Sequence, residues 1–157
     1  MKRELVKNWM SAEVVSVTPD TSLAQAHKML NDYKIRRLPV TKNGRLVGMV
    51  TLGDVREAEP SDATTLSVWE ANYLLAKLTV KSIMTRDLIT ILPDATIGEA
   101  AKLMLEHKIS GLPVVNDDQK IVGIITESDI FRIVVREWEQ AEAEPVLEVI
   151  NTFKKDF

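Results

Sequence analysis

An internal repeat constrains the fold more than any other feature of this chain. Residues 6–40 align with residues 80–114 without a gap, and both segments begin with VK and end with LPV. After one extra residue in the second turn, RLVGMVTLGDV continues against KIVGIITESDI. A repeat of this length sets the architecture, because one small copy buries little apolar surface alone and gains stability by packing on the other.

Each copy has the pattern β-α-β-β-α. A run rich in β-branched residues, VVSV or LITI, predicts a strand that ends at Pro19 or Pro93. The pairs Ser22/Gln25 and Thr96/Glu99 fit a capping box and predict the start of a helix. LPV then begins a second strand, KNG or NDDQ forms a turn, and RLVGMV or KIVGII is a third strand. The predicted core faces of the helices are Leu23, Ala26, Leu30 and Tyr33, and Ile97, Ala100 and Met104.

The fold class is therefore α/β (α+β). The first two strands of a copy are expected to be parallel with a right-handed crossover, and the second and third to form an antiparallel hairpin. Residues 1–60 are predicted to form the first repeat with an N-terminal turn, 61–78 a linker helix, 79–140 the second repeat and 141–157 a helical tail. In the linker, residues 60–64 are expected to form a loop and residues 66–78 the helix. A break is predicted in the tail near Pro145.

The composition argues against several classes of protein. The net charge is −3, from 20 basic and 23 acidic residues, which makes nucleic acid an unlikely main partner. There is no cysteine, and His27 and His107 occupy unrelated positions, so neither thiolate chemistry nor a zinc site is expected. No apolar run suits a signal peptide or a membrane helix. These features predict a soluble, cytoplasmic protein.

The two repeats resemble a tandem pair of CBS domains, also called a Bateman module. The resemblance rests on VKxxM, PD, LPV and VG followed by two apolar residues and Thr-x-x-Asp, all in the same order twice. The linker SVWEANYLLAKLTVKSIM is further similar to small bacterial CBS-pair proteins of the acetoin-utilisation type, although too few residues follow for the ACT domain that such proteins often carry. The resemblance implies that the copies pack sheet to sheet about a pseudo-twofold axis and that two clefts lie between them.

The repeated Thr-x-x-Asp, Thr51/Asp54 and Thr126/Asp129, has two interpretations. Each pair fits a helix cap, in which the threonine side chain accepts a hydrogen bond from the backbone amide of the aspartate. The same helix start also offers free amides that suit phosphate. The aspartate can accept hydrogen bonds from ribose hydroxyls, which is the role that the resemblance implies.

The resemblance implies two unequal composite clefts. The Asp54 cleft is expected to combine Thr51 and Arg37 with an adenine surface that comprises Ile89, Ile109, Ser110 and Gly111. The Asp129 cleft is expected to combine Thr126 with Val15, Ile35 and Arg36. Arg36 and Arg37 suit phosphate because a planar guanidinium can bind two oxygens, although a solvated or salt-bridged surface pair is the alternative. Since the second copy has Ser110 and Gly111 in place of these arginines, the Asp54 cleft is predicted to be the better nucleotide site.

The resemblance favours a regulatory module that binds AMP, ADP, ATP, S-adenosylmethionine or a related adenosyl compound, without a catalytic cofactor. The expected partners are a second copy of the chain, in a homodimer, and a separate effector protein. A ligand-free module for dimerisation or protein interaction is the alternative. An enzyme is disfavoured, because neither common glycine-rich phosphate motif nor a nucleophile elbow is present.

Overall fold

The computed structural model describes residues 4–60 and 65–155, with side chains up to residue 142. It confirms a mixed fold built from two similar halves. The first half contains a 3-10 turn at Val6–Asn8, α1 (Leu23–Asp32), β1 (Arg37–Lys42), β2 (Arg45–Thr51) and α2 (Leu52–Ala58). Next come α3 (Val68–Lys77), α4 (Val80–Ile83), α5 (Ile97–His107), β3 (Gly111–Val115), β4 (Ile121–Thr126) and α6 (Glu127–Lys155).

Each half contains one antiparallel hairpin, as predicted. Arg37 lies opposite Thr51 in the β1–β2 pair, and Gly111 lies opposite Thr126 in the β3–β4 pair. The β1–β2 turn has positive φ at Asn43 and Gly44, which matches the right-handed twist of the strands it joins. The hairpins therefore place positions 37 and 111, the unequal positions of the repeat, beside the two Thr-x-x-Asp motifs.

The predicted length of the first strand in each copy was wrong. In the structure this strand is reduced to a single parallel bridge. Val17 bridges Val40, and Ile91 bridges Val114. The Val17 amide donates to the Pro39 carbonyl at 2.9 Å, and the Thr41 amide donates to the Val17 carbonyl at 2.8 Å. The next rung of a parallel ladder would need an amide N–H from Pro39, which proline lacks. Pro113 has the same effect on the second copy.

Helix caps and buried faces follow the predicted pattern. Ser22 accepts the Gln25 amide at the start of α1, and Thr96 and Glu99 form a reciprocal capping box at α5. The predicted apolar residues of both helices are buried except one. Tyr33 lies beyond the last turn of α1 and is 58% exposed, so its assignment to the core face was wrong.

The segments that precede the two copies pack on the opposite halves. Val6 belongs to the core that contains Ile91 and Leu112, whereas Val80 belongs to the core that contains Val17 and Leu38. The sequence boundaries assign each segment to its own copy, so this exchange was not predicted.

Two methionines hold the exchanged segments in place. A Cβ built on Gly123 would lie 2.4 Å from the Met10 sulfur, and one built on Gly48 would lie 2.5 Å from the Met84 sulfur. Each thioether thus lies directly on a strand glycine of the other half. This packing, repeated in both halves, joins the two cores through their exchanged segments.

The linker and the tail differ in how well the sequence predicted them. Helix α3 confirms the linker helix and begins with a Ser67/Glu70 capping box, while residues 61–64 of the expected loop lie outside the described residues. The break near Pro145 was wrong, because α6 continues through this position to Lys155. The segment before it, EWEQAEAE, is rich in good helix formers, which favours one continuous helix.

Candidate functional site

A cavity of about 460 Å³ lies between the two halves and receives side chains from both. Its volume falls in the range of small-molecule sites, roughly 300–1,000 Å³. The first half contributes Ser11, Glu13, Val14, Val15, Lys34, Ile35, Arg36 and Arg37, and the second contributes Ser110, Ile124, Thr126, Glu127, Ser128, Asp129 and Arg132. We call it the Asp129 cavity.

Asp129 is an anionic group of this cavity whose carboxylate accepts three hydrogen bonds. Its Oδ2 accepts the Thr126 amide at 2.8 Å and the Thr126 hydroxyl at 2.9 Å, and its Oδ1 accepts Arg132 Nη1 at 3.0 Å. The residue is only 5% exposed, although it lines the cavity. A carboxylate oxygen has two lone-pair directions, so Oδ1 can accept a second hydrogen bond from a ligand hydroxyl.

The first half supplies apolar side chains to the cavity that Asp129 lines. Val14, Val15 and Ile35 are half-buried, and Val15 and Ile35 also pack against the core of the first half. Their positions are therefore fixed by the fold rather than by surface rotamers. Apolar side chains and a fixed carboxylate in one cavity suit a ligand with a flat apolar ring and a hydroxylated sugar.

Four basic side chains, Lys34, Arg36, Arg37 and Arg132, line the cavity beside three acidic ones. Arg132 forms an ion pair with Asp129, with Nη1 3.0 Å from Oδ1. The Arg37 guanidinium donates instead to the neutral Ser110 hydroxyl, with Nη2 2.5 Å from Oγ. Burial and the neighbouring Arg36 lower the pKa of Arg37, and Glu127 partly offsets this effect.

The position of Arg37 differs from the sequence expectation. Its backbone pairs with Thr51, but its side chain crosses to the second half and lies over Gly111 rather than with Thr51 and Asp54. Gly111 thus makes room for a guanidinium, not for the expected adenine. The pairing of Val15, Ile35 and Arg36 with Thr126 and Asp129 was predicted, and the structure brings these five residues together in the cavity.

The other Thr-x-x-Asp pair has the geometry of a helix cap. Thr51 Oγ1 accepts the Asp54 amide at 3.1 Å, and the Thr51 amide donates to Asp54 Oδ2 at 2.8 Å. The first amide of α2, at Leu52, donates to the Arg36 carbonyl at 2.9 Å. Of the residues expected in the Asp54 cleft, Thr51, Asp54, Ile89, Ile109 and Gly111 do not line the Asp129 cavity, and Ser110 does.

Arg132 is the functional candidate that sequence analysis missed. It lies one helical turn after Asp129, and this spacing alone predicts an ion pair on a helix. The equivalent position of the first copy is the acidic residue Glu57, so the repeat gave no indication of a basic residue here. Glu127 and Ser128, in the first turn of α6, were also missed. Their equivalents in the first copy are Leu52 and Gly53, so the repeat did not indicate polar side chains at these positions.

Within the part of the chain that the structure describes, no group of three or more histidine and acidic side chains is arranged to hold a metal ion. No helix there combines the length and the apolar character that a membrane crossing requires.

Comparisons of sequence agree on one family. A model of the CBS domain matches residues 6–61 and 80–136. A CBS domain-containing protein of Dictyostelium discoideum is 35% identical over 133 residues, which cover 84% of this chain and 92% of that protein. An inosine-5'-monophosphate dehydrogenase of Korarchaeum cryptofilum (strain OPF8) is 34% identical over 125 residues, or 80% of this chain. The match covers 23% of that dehydrogenase, so the chain spans about a quarter of the enzyme's length.

Solved structures give the same result. The CBS domain pair of protein MJ0100, in complex with 5'-methylthioadenosine and S-adenosyl-L-methionine, has a TM-score of 0.70 and 32% identity, over 85% of this chain and 97% of that chain. CBSX2 in complex with AMP has a TM-score of 0.71 and 28% identity, over 85% and 97% of the two chains. A protein of Vibrio cholerae assigned to acetoin utilization (AcuB) has a TM-score of 0.71 and 28% identity, over 89% and 96%.

Proposed function

Since the chain belongs to the CBS domain family and carries two CBS domains in tandem, we propose that it is a regulatory module that binds an adenosyl compound in the Asp129 cavity. The observation that carries the proposal is the composite lining, in which the first half supplies apolar and basic groups and the second half supplies Asp129. The ligands of the similar CBS pairs, AMP in one and S-adenosyl-L-methionine with 5'-methylthioadenosine in the other, support it.

The proposed ligand pose assigns one chemical role to each side of the cavity. Val15 and Ile35 contact the adenine ring, and Asp129 Oδ1 accepts a ribose hydroxyl. The 5' substituent points toward Thr126 and the arginines. This arrangement revises the sequence hypothesis, which favoured the Asp54 cleft, because the Arg37 side chain lies in the Asp129 cavity. The role of each of these residues stays a prediction.

Calorimetric titration of the chain with AMP tests the proposal directly. We expect one saturable binding event per chain, because the cavity joins groups from both halves and a ligand would contact them together. An Ile35→Asp variant should weaken this binding about tenfold or more, since it places a carboxylate against the adenine ring. Leu105→Asp is the matched control, because Leu105 is an apolar residue on α5 that is 79% exposed. Absence of heat with AMP, ATP, S-adenosylmethionine and 5'-methylthioadenosine would favour a ligand-free interaction module.

We propose that the output is regulatory rather than catalytic and passes to a separate effector protein. A ligand that contacts both halves stabilises one relative orientation of them, provided that it binds this orientation more tightly than others. Helix α6 is suited to transmit the change, because Glu127, Ser128 and Asp129 line the cavity and the same helix extends to Lys155. The effector and the cytoplasmic location stay predictions.

We further propose that the chain forms a homodimer through α6. Four apolar side chains, Phe131, Val134, Val135 and Trp138, are each about half exposed or more and repeat at the spacing of one helix face. Two antiparallel copies about a twofold axis would bury this apolar stripe.

A Phe131→Glu variant is expected to be monomeric, because two like charges would meet an apolar surface at the twofold contact. Light scattering or sedimentation velocity of the wild type should give twice the mass of the variant. Phe131 is 64% exposed in the single chain, so the thermal midpoint of the monomer should change little. Leu105→Glu alters an exposed apolar residue on α5 and should leave the dimer intact. A monomeric wild type would contradict the proposal.

A further inference from the structure

A second cavity, of about 480 Å³, lies on the first half and shares no lining residue with the Asp129 cavity. It is lined by the turn at residues 18–20, by the β1–β2 hairpin and by the exchanged segment at residues 81–86. We call it the Lys81 cavity. The Lys81 amide donates to the Pro19 carbonyl at 3.0 Å, and Arg86 Nη2 donates to the Lys81 carbonyl at 3.4 Å. The exchanged segment is thus fixed beside the turn.

The Lys81 cavity has an excess of positive charge. Lys42, Lys81 and Arg86 line it beside a single carboxylate, that of Asp20. Among residues 4–60 and 65–142, no carboxylate oxygen lies within salt-bridge distance of any of these three cationic groups. The three side chains are exposed, so a ligand can reach them without a rearrangement of the core. Their positive charges are therefore available to an anion.

The repeat shows that two of these cations belong to the first half alone. Asn116 and Ala12 stand at the positions of Lys42 and Arg86 in the second half. Both differences remove a positive charge from the equivalent surface. The excess of charge is therefore a property of this one cavity and not of the repeated fold.

The third cation is repeated, but its surroundings differ. Lys81 corresponds to Lys7, and Asp20 corresponds to Asp94. In the second half Lys7 Nζ lies 2.6 Å from Asp94 Oδ1, so this lysine is already neutralised by an ion pair. Lys81 and Asp20 line the same cavity without forming the equivalent pair. The first half thus keeps a lysine that can pair with a ligand.

Two hydroxyl groups follow the same division between the halves. Thr18 and Thr41 line the Lys81 cavity, whereas the equivalent residues are Leu92 and Val115. A hydroxyl can donate a hydrogen bond to a phosphate oxygen, and an aliphatic side chain cannot. The first half therefore has two cations and two hydroxyl donors that the second half lacks, all in one cavity.

We propose that the Lys81 cavity binds a phosphorylated small molecule through its phosphate group. Three cations and two hydroxyl donors match the charge and the oxygen acceptors of a phosphate, and the volume falls within the range of small-molecule sites. This site is separate from the proposed adenosyl site. A bound phosphate would bridge Lys42, at the end of β1, to Lys81 and Arg86 of the exchanged segment. It would thereby fasten the segment that completes the core of the first half.

Titration of the chain with inorganic pyrophosphate at constant ionic strength tests this site. We expect saturable binding with a Kd of about 1 mM or tighter, and a higher thermal midpoint in the presence of the ligand. The double variant Lys42→Asn/Arg86→Ala introduces the residues of the second half. It should weaken pyrophosphate binding about tenfold or more, because it removes two charge-assisted contacts. In NMR spectra of the wild type, the shifted amides should be those of residues 41–43 and 81–86.

The matched control is Lys28→Asn/Lys102→Ala, which removes two positive charges from exposed sites on α1 and α5 outside the cavity. It should bind pyrophosphate like the wild type. An equal loss in both double variants would mean that net charge alone attracts the ligand, and this result would overturn the proposal. Absence of saturation, or shifts confined to the Asp129 cavity, would overturn it too.

The two proposed sites can be tested independently of each other. Neither Lys42 nor Arg86 lines the Asp129 cavity, so Lys42→Asn/Arg86→Ala should keep the AMP affinity of the wild type within about twofold. If AMP binds and pyrophosphate does not, the Lys81 site is rejected and the adenosyl-binding function stands. If pyrophosphate binds as described and no adenosyl compound does, the Lys81 site stands and the adenosyl-binding function is rejected.

Discussion

An Asp129→Asn variant is expected to lose AMP binding by about 10- to 150-fold, which corresponds to the 1.5–3 kcal/mol of a hydrogen bond to a charged group. The substitution keeps the shape of the side chain and removes the negative charge that would attract a ribose hydroxyl. The carboxylate is held by Thr126 and Arg132 in the direction of the cavity, so the ligand does not have to order it. Calorimetric titration of the variant with AMP gives the affinity.

The repeat supplies the matched variant for this experiment. Asp54→Asn makes the same chemical change at the equivalent position, where the carboxylate closes a capping box with Thr51. We expect this variant to retain AMP binding at the Asp129 cavity while losing some stability at the start of α2, about 0.5–2 kcal/mol. If Asp54→Asn abolished binding and Asp129→Asn did not, the sequence hypothesis of an Asp54 site would be restored.

A loss of binding has to be distinguished from a loss of structure, because Asp129 also has a structural role. It is buried and accepts a hydrogen bond from the Thr126 amide. Replacing the carboxylate by a neutral amide leaves Arg132 without its anionic partner. We expect a stability cost of about 1–3 kcal/mol, which thermal unfolding measures independently. If the variant remains folded at the titration temperature and binds AMP more weakly, the loss of affinity is due to the ligand contact.

The local elements of this fold could be predicted from sequence because their signals are local. The capping residues Ser22 and Thr96, the Asn43–Gly44 turn and the apolar spacing of α1 and α5 each act within a few residues. The first strand was predicted too long, although Pro39 and Pro113 gave the reason in the sequence. Each proline lacks the amide that the next parallel rung requires.

The candidate site was harder to predict because its geometry depends on contacts between the halves. Nothing in the residues near Val6 or Val80 indicates that each enters the core of the other half. The direction of the Arg37 side chain depends on the absence of a side chain at Gly111, 74 positions later in the sequence. The repeat alignment did identify both residues as the unequal pair, but it could not show that one fills the space left by the other.

The second large effect is expected from Leu112→Ala, with Leu38→Ala as its equivalent in the first half. Both leucines are completely buried in their cores, on the strands that carry LPV. Truncation of a buried leucine removes apolar contacts and leaves a cavity, so each variant should lower the free energy of unfolding by about 2–5 kcal/mol. Urea unfolding followed by circular dichroism gives this value, and the exposed Leu105→Ala should change it by less than about 0.5 kcal/mol.

The shape of the unfolding transition tests how the two halves depend on each other. Val6 completes the core of the second half and Val80 that of the first, so neither core is assembled from one contiguous copy. Unfolding of one half releases a segment from the other, and we therefore expect a single cooperative transition that Leu38→Ala and Leu112→Ala shift by similar amounts. Two transitions in the calorimeter, with each variant moving only one of them, would show that the exchanged segments do not couple the cores.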